Sequence, residues 1–190
     1  MQVARSYSRL WPITLDAHLL VGGEPHGPRG TPIAFGVGAE LMWRARVGAF
    51  AALLSSEGSP ILPQAQNGKV LNSLGDRISV PFGLAARPFE PLAESHEGWA
   101  WRLLAGIGLQ AGLTIENVRS SDDDATTAGL HLAASLDVPI FGGPIAGGLA
   151  LRLYGRMMVT PELTLDASAP QRIHEPIFSG QIYGGLAYYL

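Results

Sequence analysis

The stretch WAWRLLAGIGLQAGLTIE, from Trp99 to Glu116, splits into two sets of side chains when read at every second position. Trp99, Trp101, Leu103, Ala105, Ile107, Leu109, Ala111, Leu113 and Ile115 fall on one side of an extended strand. Ala100, Arg102, Leu104, Gly106, Gly108, Gln110, Gly112, Thr114 and Glu116 fall on the other. Successive Cβ atoms of a strand point to opposite faces, so this spacing predicts one strand, bulky and apolar on one side, small or polar on the other. It is longer than the five or six residues of an ordinary strand. It also exceeds the roughly 9–11 tilted residues that cross a bilayer.

The same two-faced pattern recurs outward from this stretch over Trp11 to Val21, Ile33 to Trp43, Arg46 to Leu53, Arg77 to Leu84, Leu130 to Val138, Leu149 to Tyr154 and Gln181 to Leu190. That predicts eight strands, and no charge falls on any of the apolar faces. Pro81 stands inside the fourth strand and is expected at a bulge, because it has no N–H to give the ladder. The connections alternate in length. Short turns are expected at Trp43 to Arg46 and Val138 to Pro144, and longer loops at Gly22 to Thr31, Ser55 to Asp76, Asn117 to Thr126 and Pro161 to Pro176. The segment Pro88 to Gly98 belongs to the short-turn rim yet runs long.

Composition narrows the setting. The hydrophobic fraction is 47% and the charged fraction 15%, against about 25% charged in an ordinary soluble domain. Lys69 is the only lysine. A net charge of -3 leaves no basic footprint for nucleic acid. Cysteine is absent, which excludes disulfides and thiolate chemistry. No run of about 20 apolar residues exists for a membrane-spanning helix. After Met1 no apolar leader precedes Pro12 and Asp16. An envelope protein is made with such a leader, so the expectation is that it has been removed or lies outside this sequence.

Period two alone does not decide which face points inward. An eight-stranded barrel has an interior only just filled by side chains. The apolar face here is bulky on every strand, whereas the opposite face is mostly Gly, Ala and Ser with one or two long polar residues. Glycines inside make room for arginine, tyrosine and glutamine; outside, they would have nothing to pack. The prediction is therefore an all-β chain, an eight-stranded antiparallel up-and-down transmembrane β-barrel, as a single domain over residues 1–190. Closure also follows from the solvent, since every backbone N–H and C=O in hydrocarbon must find a partner. Trp11, Trp43, Trp99, Trp101 and Tyr188 are expected as an aromatic belt on one rim, at a membrane–water interface.

The last strand carries a further pattern. Tyr183, Gly185, Tyr188 and Leu190 match the spacing of the C-terminal assembly signal of outer-membrane barrels, with Leu in place of the usual final Phe. Taken with the eight alternating segments, the chain resembles small bacterial outer-membrane barrels of the OmpA/OmpX type over nearly its whole length. That resemblance implies a Gram-negative cell envelope and a porin-like, plugged barrel. It also implies insertion by the barrel-assembly machinery, contact with outer-membrane lipids and lipopolysaccharide, loops outside and both termini periplasmic. Surface-loop partners stay open.

The inward polar residues are the candidate site. Asp16, Glu40, Arg46, Arg102 and Asp137 are expected towards the Trp-rich end. His18, Gln110, His131, Arg152 and Tyr154 should lie near the middle, with Gln181 and Tyr183 on the same inward face of the last strand. Arg77, Glu116 and Arg156 are expected towards the long-loop end. In so narrow a lumen each charge needs a partner or water. The near balance of arginines and carboxylates predicts a salt-bridged plug, with a narrow pore for ions or small solutes as the alternative. A soluble lipocalin-like carrier of an apolar ligand would need the apolar face inside. A lipid-modifying enzyme would need a His/Ser pair at the lipid edge. His131 and Ser135 are instead inward and about 13 Å apart along a strand, so no catalytic residue is assigned. His18 and His131 make no convincing metal site without a third ligand, and neither a metal nor a cofactor is expected. The acidic run Asp122 to Asp124 reads as solvated loop. The expected role is an outer-membrane scaffold or surface-loop display module.

Overall fold

In the computed structural model, residues 13–23, 33–66, 69–91, 98–119, 124–143, 147–160 and 177–190 are described. Eight strands run in chain order, β1 (Ile13–Gly23), β2 (Ile33–Trp43), β3 (Val47–Gln66), β4 (Lys69–Ala86), β5 (Ile107–Arg119), β6 (Asp124–Gly143), β7 (Gly147–Thr160) and β8 (Ile177–Tyr189). A short helix, α1 (Trp99–Ala105), precedes β5. Each strand pairs antiparallel with its sequence neighbour, and β8 returns to β1 to close the barrel. The closure ends in a reciprocal backbone pair between Leu15 and Leu190, with N···O separations of 3.2 and 2.8 Å.

The apolar set points outward. Leu19, Val37, Leu53, Phe82, Leu113, Leu132, Leu151 and Leu186 are all exposed, one from each strand in turn. Their inward neighbours are buried, among them Glu40, Arg77, Thr114, His131, Arg152 and Tyr183. A lipocalin-like carrier, which needs an apolar lumen, is therefore the wrong reading of the alternation. The lumen nevertheless holds more apolar bulk than the sequence reading gave it. Leu20, Ala34, Leu54, Tyr154 and Tyr183 pack together inside, as do Met42, Phe50 and Ala85.

Three local expectations need correction. The segment Trp99 to Ala105 is helix and not the start of a strand. In WAWRLLA only Arg102 interrupts a row of apolar residues, so period two is not diagnostic there, and Ala, Leu and Arg all favour helix. The strand begins at Ile107, whose partner is Leu136. Pro81 makes no bulge. Its strand stays in register with Thr114 on β5, and the β3 ladder keeps one register from Ala51↔Phe82 to Leu54↔Ser79 while pairing lapses between them. The missing N–H is met by omitting a rung, without an extra residue. The bulge falls instead near Pro139, where the β6–β7 register shifts before Phe141.

The expected long loops Ser55 to Asp76 and Asn117 to Thr126 are largely sheet, because β3 and β4 extend to Gln66 and Lys69 and β5 and β6 to Arg119 and Asp124. Backbone pairing in a hairpin continues without side-chain alternation, so the sequence pattern stops before the ladder does. On the opposite rim the Trp43–Arg46 turn places Arg44 and Ala45 at φ 53° and 55°, the left-handed geometry that suits a two-residue hairpin. The expected loops at Gly22 to Thr31 and Pro161 to Pro176 fall almost wholly outside the described residues.

Candidate functional site in the barrel lumen

Parity along the strands brings three carboxylates to the short-turn end of the lumen. Asp16 comes from β1, Glu40 from β2 and Asp137 from β6, and all three are buried. Asp16 and Glu40 are direct register partners, so their like charges would repel without counter-charges. Two guanidiniums supply these. Arg152, the register partner of Asp137, donates from Nε to Asp137 Oδ1 at 2.7 Å and from Nη2 to Oδ2 at 2.8 Å. It also contacts Asp16 Oδ2 and lies 3.3 Å from Glu40 Oε1. Arg87 donates to Asp137 Oδ2 at 2.9 Å, Asp16 Oδ2 at 2.9 Å and Glu40 Oε2 at 3.0 Å. Charge-assisted pairs in this arrangement hold strands β1, β2, β6 and β7 to one another through the lumen.

Arg87 is one of three residues of this cluster that the sequence reading missed. It follows Ala86, the last residue of β4, and its backbone N–H donates to Arg46 O at 2.7 Å. Its side chain is 1% exposed and stacks 5.2 Å from the centroid of the Tyr189 ring. Burial works against its charge, but Glu40, Tyr189 and Asp137 outweigh that and raise its pKa. Tyr189, which the sequence reading also passed over, donates a hydrogen bond from its hydroxyl to Asp137 Oδ2. A signal for both was present. Arg77, Ser79, Pro81, Gly83 and Ala85 set an inward parity that Arg87 continues, and Gln181, Tyr183 and Gly185 set one that Tyr189 continues. Arg46, half-buried at the rim, donates from Nε to Glu90 Oε2 at 2.7 Å. Glu90 was likewise missed.

A chain of neutral hydrogen bonds rises from this cluster. Gln110 donates to Glu40 at 2.8 Å, and the Tyr154 hydroxyl donates to Gln110 Oε1 at 3.0 Å. With that proton used, His131 Nε2, 3.2 Å from the same hydroxyl, must be the donor, leaving Nδ1 bare. His18 Nδ1 lies 2.7 Å from Arg152 Nη1, which can only donate, and 3.2 Å from Asp16 Oδ1, which accepts, so this ring nitrogen sits between a cation and a carboxylate. The Nε2 edge lies against Gly38, where an added Cβ would collide with it.

At the loop end the groups are looser. Glu116 accepts from Ser79 Oγ at 2.6 Å, while Arg77 and Arg156 stand 3.9 and 3.7 Å from its oxygens. Arg156 donates to Gln181 at 2.6 Å and Ser79 at 3.1 Å, and Tyr183 donates to Gln181 at 2.6 Å.

Asp16, His18, Glu40, Arg77, Gln110, Glu116, His131, Asp137, Arg152, Tyr154, Gln181 and Tyr183 are thus buried in the lumen. Arg102 is not, because it sits exposed on α1. Among the expected rim aromatics, Trp43 and Tyr188 are exposed on strands, and Trp99 and Trp101 ride on α1 rather than on β5. Trp11 lies outside the described residues, as do Asp122 and Asp123. Asp16, His18 and Glu40 offer donor atoms within 4.8 Å of one another. Arg87 and Arg152 already occupy those carboxylates, so the group is an ion-paired node more than a metal cradle. His18 and His131 have different partners, Arg152 and Asp16 for the first and Tyr154 for the second. The Asp137 carboxylate, which a His131–Ser135 catalytic set would need, is taken up by Arg87, Arg152 and Tyr189.

The barrel aligns over 94% of the chain with 97% of neisserial surface protein A, at a TM-score of 0.57 and 10% identity. The fold is that of a small outer-membrane β-barrel. Ail, the attachment invasion locus protein of Yersinia pestis, solved with the heparin analogue sucrose octasulfate, aligns over 94% of the chain and 96% of its own length, at 11% identity and a TM-score of 0.46. No protein-family model and no curated sequence matches the chain.

Proposed function

We propose that this chain is an integral outer-membrane protein that displays surface loops on a non-conducting barrel. The observation that carries the reading is the ion-paired node of Asp16, Glu40, Asp137, Arg87 and Arg152, which joins opposite walls of the lumen through contacts of 2.7–3.3 Å. A continuous water path past it would have to break several charge-assisted bonds at once. The exposed apolar band supports placement in lipid. Trp43, Tyr188 and the Trp99–Arg102 face of α1, all at the short-turn rim, suit a phospholipid headgroup layer on the periplasmic side. The loop rim then meets lipopolysaccharide, both chain termini are periplasmic, and the motif Tyr183, Gly185, Tyr188 and Leu190 addresses the barrel-assembly machinery. The engagement of His131 and Asp137 in other bonds supports a non-catalytic role.

The test is refolding from urea with and without detergent micelles, followed by circular dichroism and by gel mobility of unboiled and boiled samples. A β-rich, heat-modifiable band that forms only with detergent is expected, together with silence in planar bilayers. A monomer folded in plain buffer would sink the membrane assignment. Steady channel currents from the unaltered chain would sink the plug and leave a narrow pore.

A further inference from the structure

The connections at the short-turn rim differ in what they offer to water. The β2–β3 turn carries Arg44 and Arg46, and the connector from β4 to α1 carries Glu94, Ser95, His96 and Glu97. The β6–β7 hairpin has nothing comparable. From Val138 to Leu151 every residue is apolar or glycine, so between Asp137 and Arg152 no side chain can donate or accept a hydrogen bond.

A bulge decides where those side chains point. Pro139 pairs with Ala150 and Phe141 with Leu149, so Ile140 is an extra residue in β6. Strict alternation would turn Phe141 inward behind Pro139. The extra residue restores it to the outer face, and Ile140 and Phe141, adjacent in sequence, are 54% and 59% exposed. They prolong the outward row of Leu132 and Val138 on β6 and of Leu151 and Leu153 on β7, all exposed. Beside them α1, which packs against β6, presents Trp99 at 75% exposure. An exposed apolar surface of this continuity marks a contact with lipid or with protein.

We propose that the β6–β7 hairpin is inserted into the phospholipid interface of the periplasmic leaflet, with Ile140 and Phe141 against the glycerol layer and the upper acyl chains. The inference rests on the outer-membrane placement proposed for the chain and adds to it an anchor on one side of the barrel. Lipid is the occupant because the row from Leu153 through Leu151 to Phe141 continues the lipid-facing band without a polar side chain between. The depth follows from the backbone. Pairing of β6 with β5 ends at Leu136, followed by one bond from Asp137 N–H to Gly106 O. Beyond that point the free edge of β6 needs headgroups or interfacial water, which hydrocarbon does not supply. The apolar edge of the barrel is therefore uneven. It reaches further towards the periplasm at β6–β7 than at β2–β3, where Arg44 directly follows Trp43.

The chain has no cysteine, so Phe141→Cys and Leu132→Cys each supply a single site for an environment-sensitive fluorophore. Each labelled full chain is folded into vesicles of phosphatidylethanolamine and phosphatidylglycerol that carry nitroxide lipids, with the nitroxide near the headgroup or at the acyl-chain end. The expected result is loss of fluorescence at Phe141 mainly with the headgroup-proximal nitroxide, and at Leu132 mainly with the chain-end nitroxide. Iodide in the buffer should quench neither. Iodide quenching at Phe141 alone, with Leu132 still quenched by lipid, would put the hairpin in water and overturn the anchor while the membrane placement stands. A Phe141 label shielded from both iodide and nitroxide is covered by protein, and overturns it equally. Absence of lipid quenching at Leu132 would sink the membrane placement and the anchor with it. Ile140→Cys gives the same readings if Phe141→Cys fails to fold.

Discussion

Arg152 and Asp137 face each other as register partners on β7 and β6, and the guanidinium grips both carboxylate oxygens, at 2.7 and 2.8 Å. Asp137 at the same time accepts from Arg87 and Tyr189. Replacing Asp137 by Ala therefore leaves two buried guanidiniums short of a counter-charge. Losing one partner of a buried pair costs about 3–5 kcal/mol. Urea unfolding in micelles should show a loss of that order. A loss under about 1 kcal/mol, typical of an exposed pair, would mean that water reaches the node freely.

Arg87 is delivered by the connector after β4, so it can be removed without altering any strand. Arg87→Ala leaves Asp16, Glu40 and Asp137 facing Arg152 alone. We expect a small cation-preferring current in planar bilayers where the unaltered chain is silent. Continued silence with a normal heat-modifiable band would assign the closure to Arg152 and the packed Tyr154 and Tyr183 rings.

The Gly38–His18 approach predicts a steric effect. Gly38→Ala places a methyl against His18 Nε2, and overpacking of this kind costs roughly 1–3 kcal/mol. The double variant Gly38→Ala, His18→Ala should recover part of that loss in the same unfolding assay. Equal instability in the single and double variants would show that the Ala52 Cβ, 2.9 Å from the added methyl, resists it, and not the imidazole.

Outward positions should respond to charge as lipid-facing ones do. Leu132→Arg, in the middle part of β6, is expected to cost about 2–4 kcal/mol in phospholipid vesicles. The same change at an exposed site of a water-soluble barrel would cost little, so a near-neutral result in vesicles would argue against the lipid contact.

The fold was legible because one rule recurs on every crossing, an unbroken row of apolar residues outside and a mixed row inside that carries all the charges, with Leu20, Leu54 and Phe50 among its apolar members. Leu19, Val37 and Leu113 obey it as plainly as Asp16, Glu40 and Thr114 do on the other face. The rule fails where its cause does. In Trp99 to Ala105 nearly every residue is apolar, so the period vanishes and helix propensity decides. Beyond Ser56 the β3–β4 ladder continues to Gln66 and Lys69, with register shifts that no alternation in the sequence announces. The site was legible as a set of inward polar residues but not as a set of pairs. Arg87 and Tyr189 continue the inward parity of β4 and β8, yet Arg87 sits just past the apparent end of its alternating segment, and Tyr189 stands between Tyr188 and Leu190 in a run of aromatic and apolar residues. Glu90 had no such signal, because the path of the connector across the mouth is a tertiary fact.

The node at Arg87 also has a temporal meaning. Asp16 belongs to the first strand and Tyr189 to the last, and Arg87 touches both. The Arg152–Asp137 pair joins neighbouring strands and does not depend on closure. The contacts of Arg87 with Asp16 and with the Tyr189 ring do, because they need the first and last strands side by side. Arg87 is thus a latch on a finished ring.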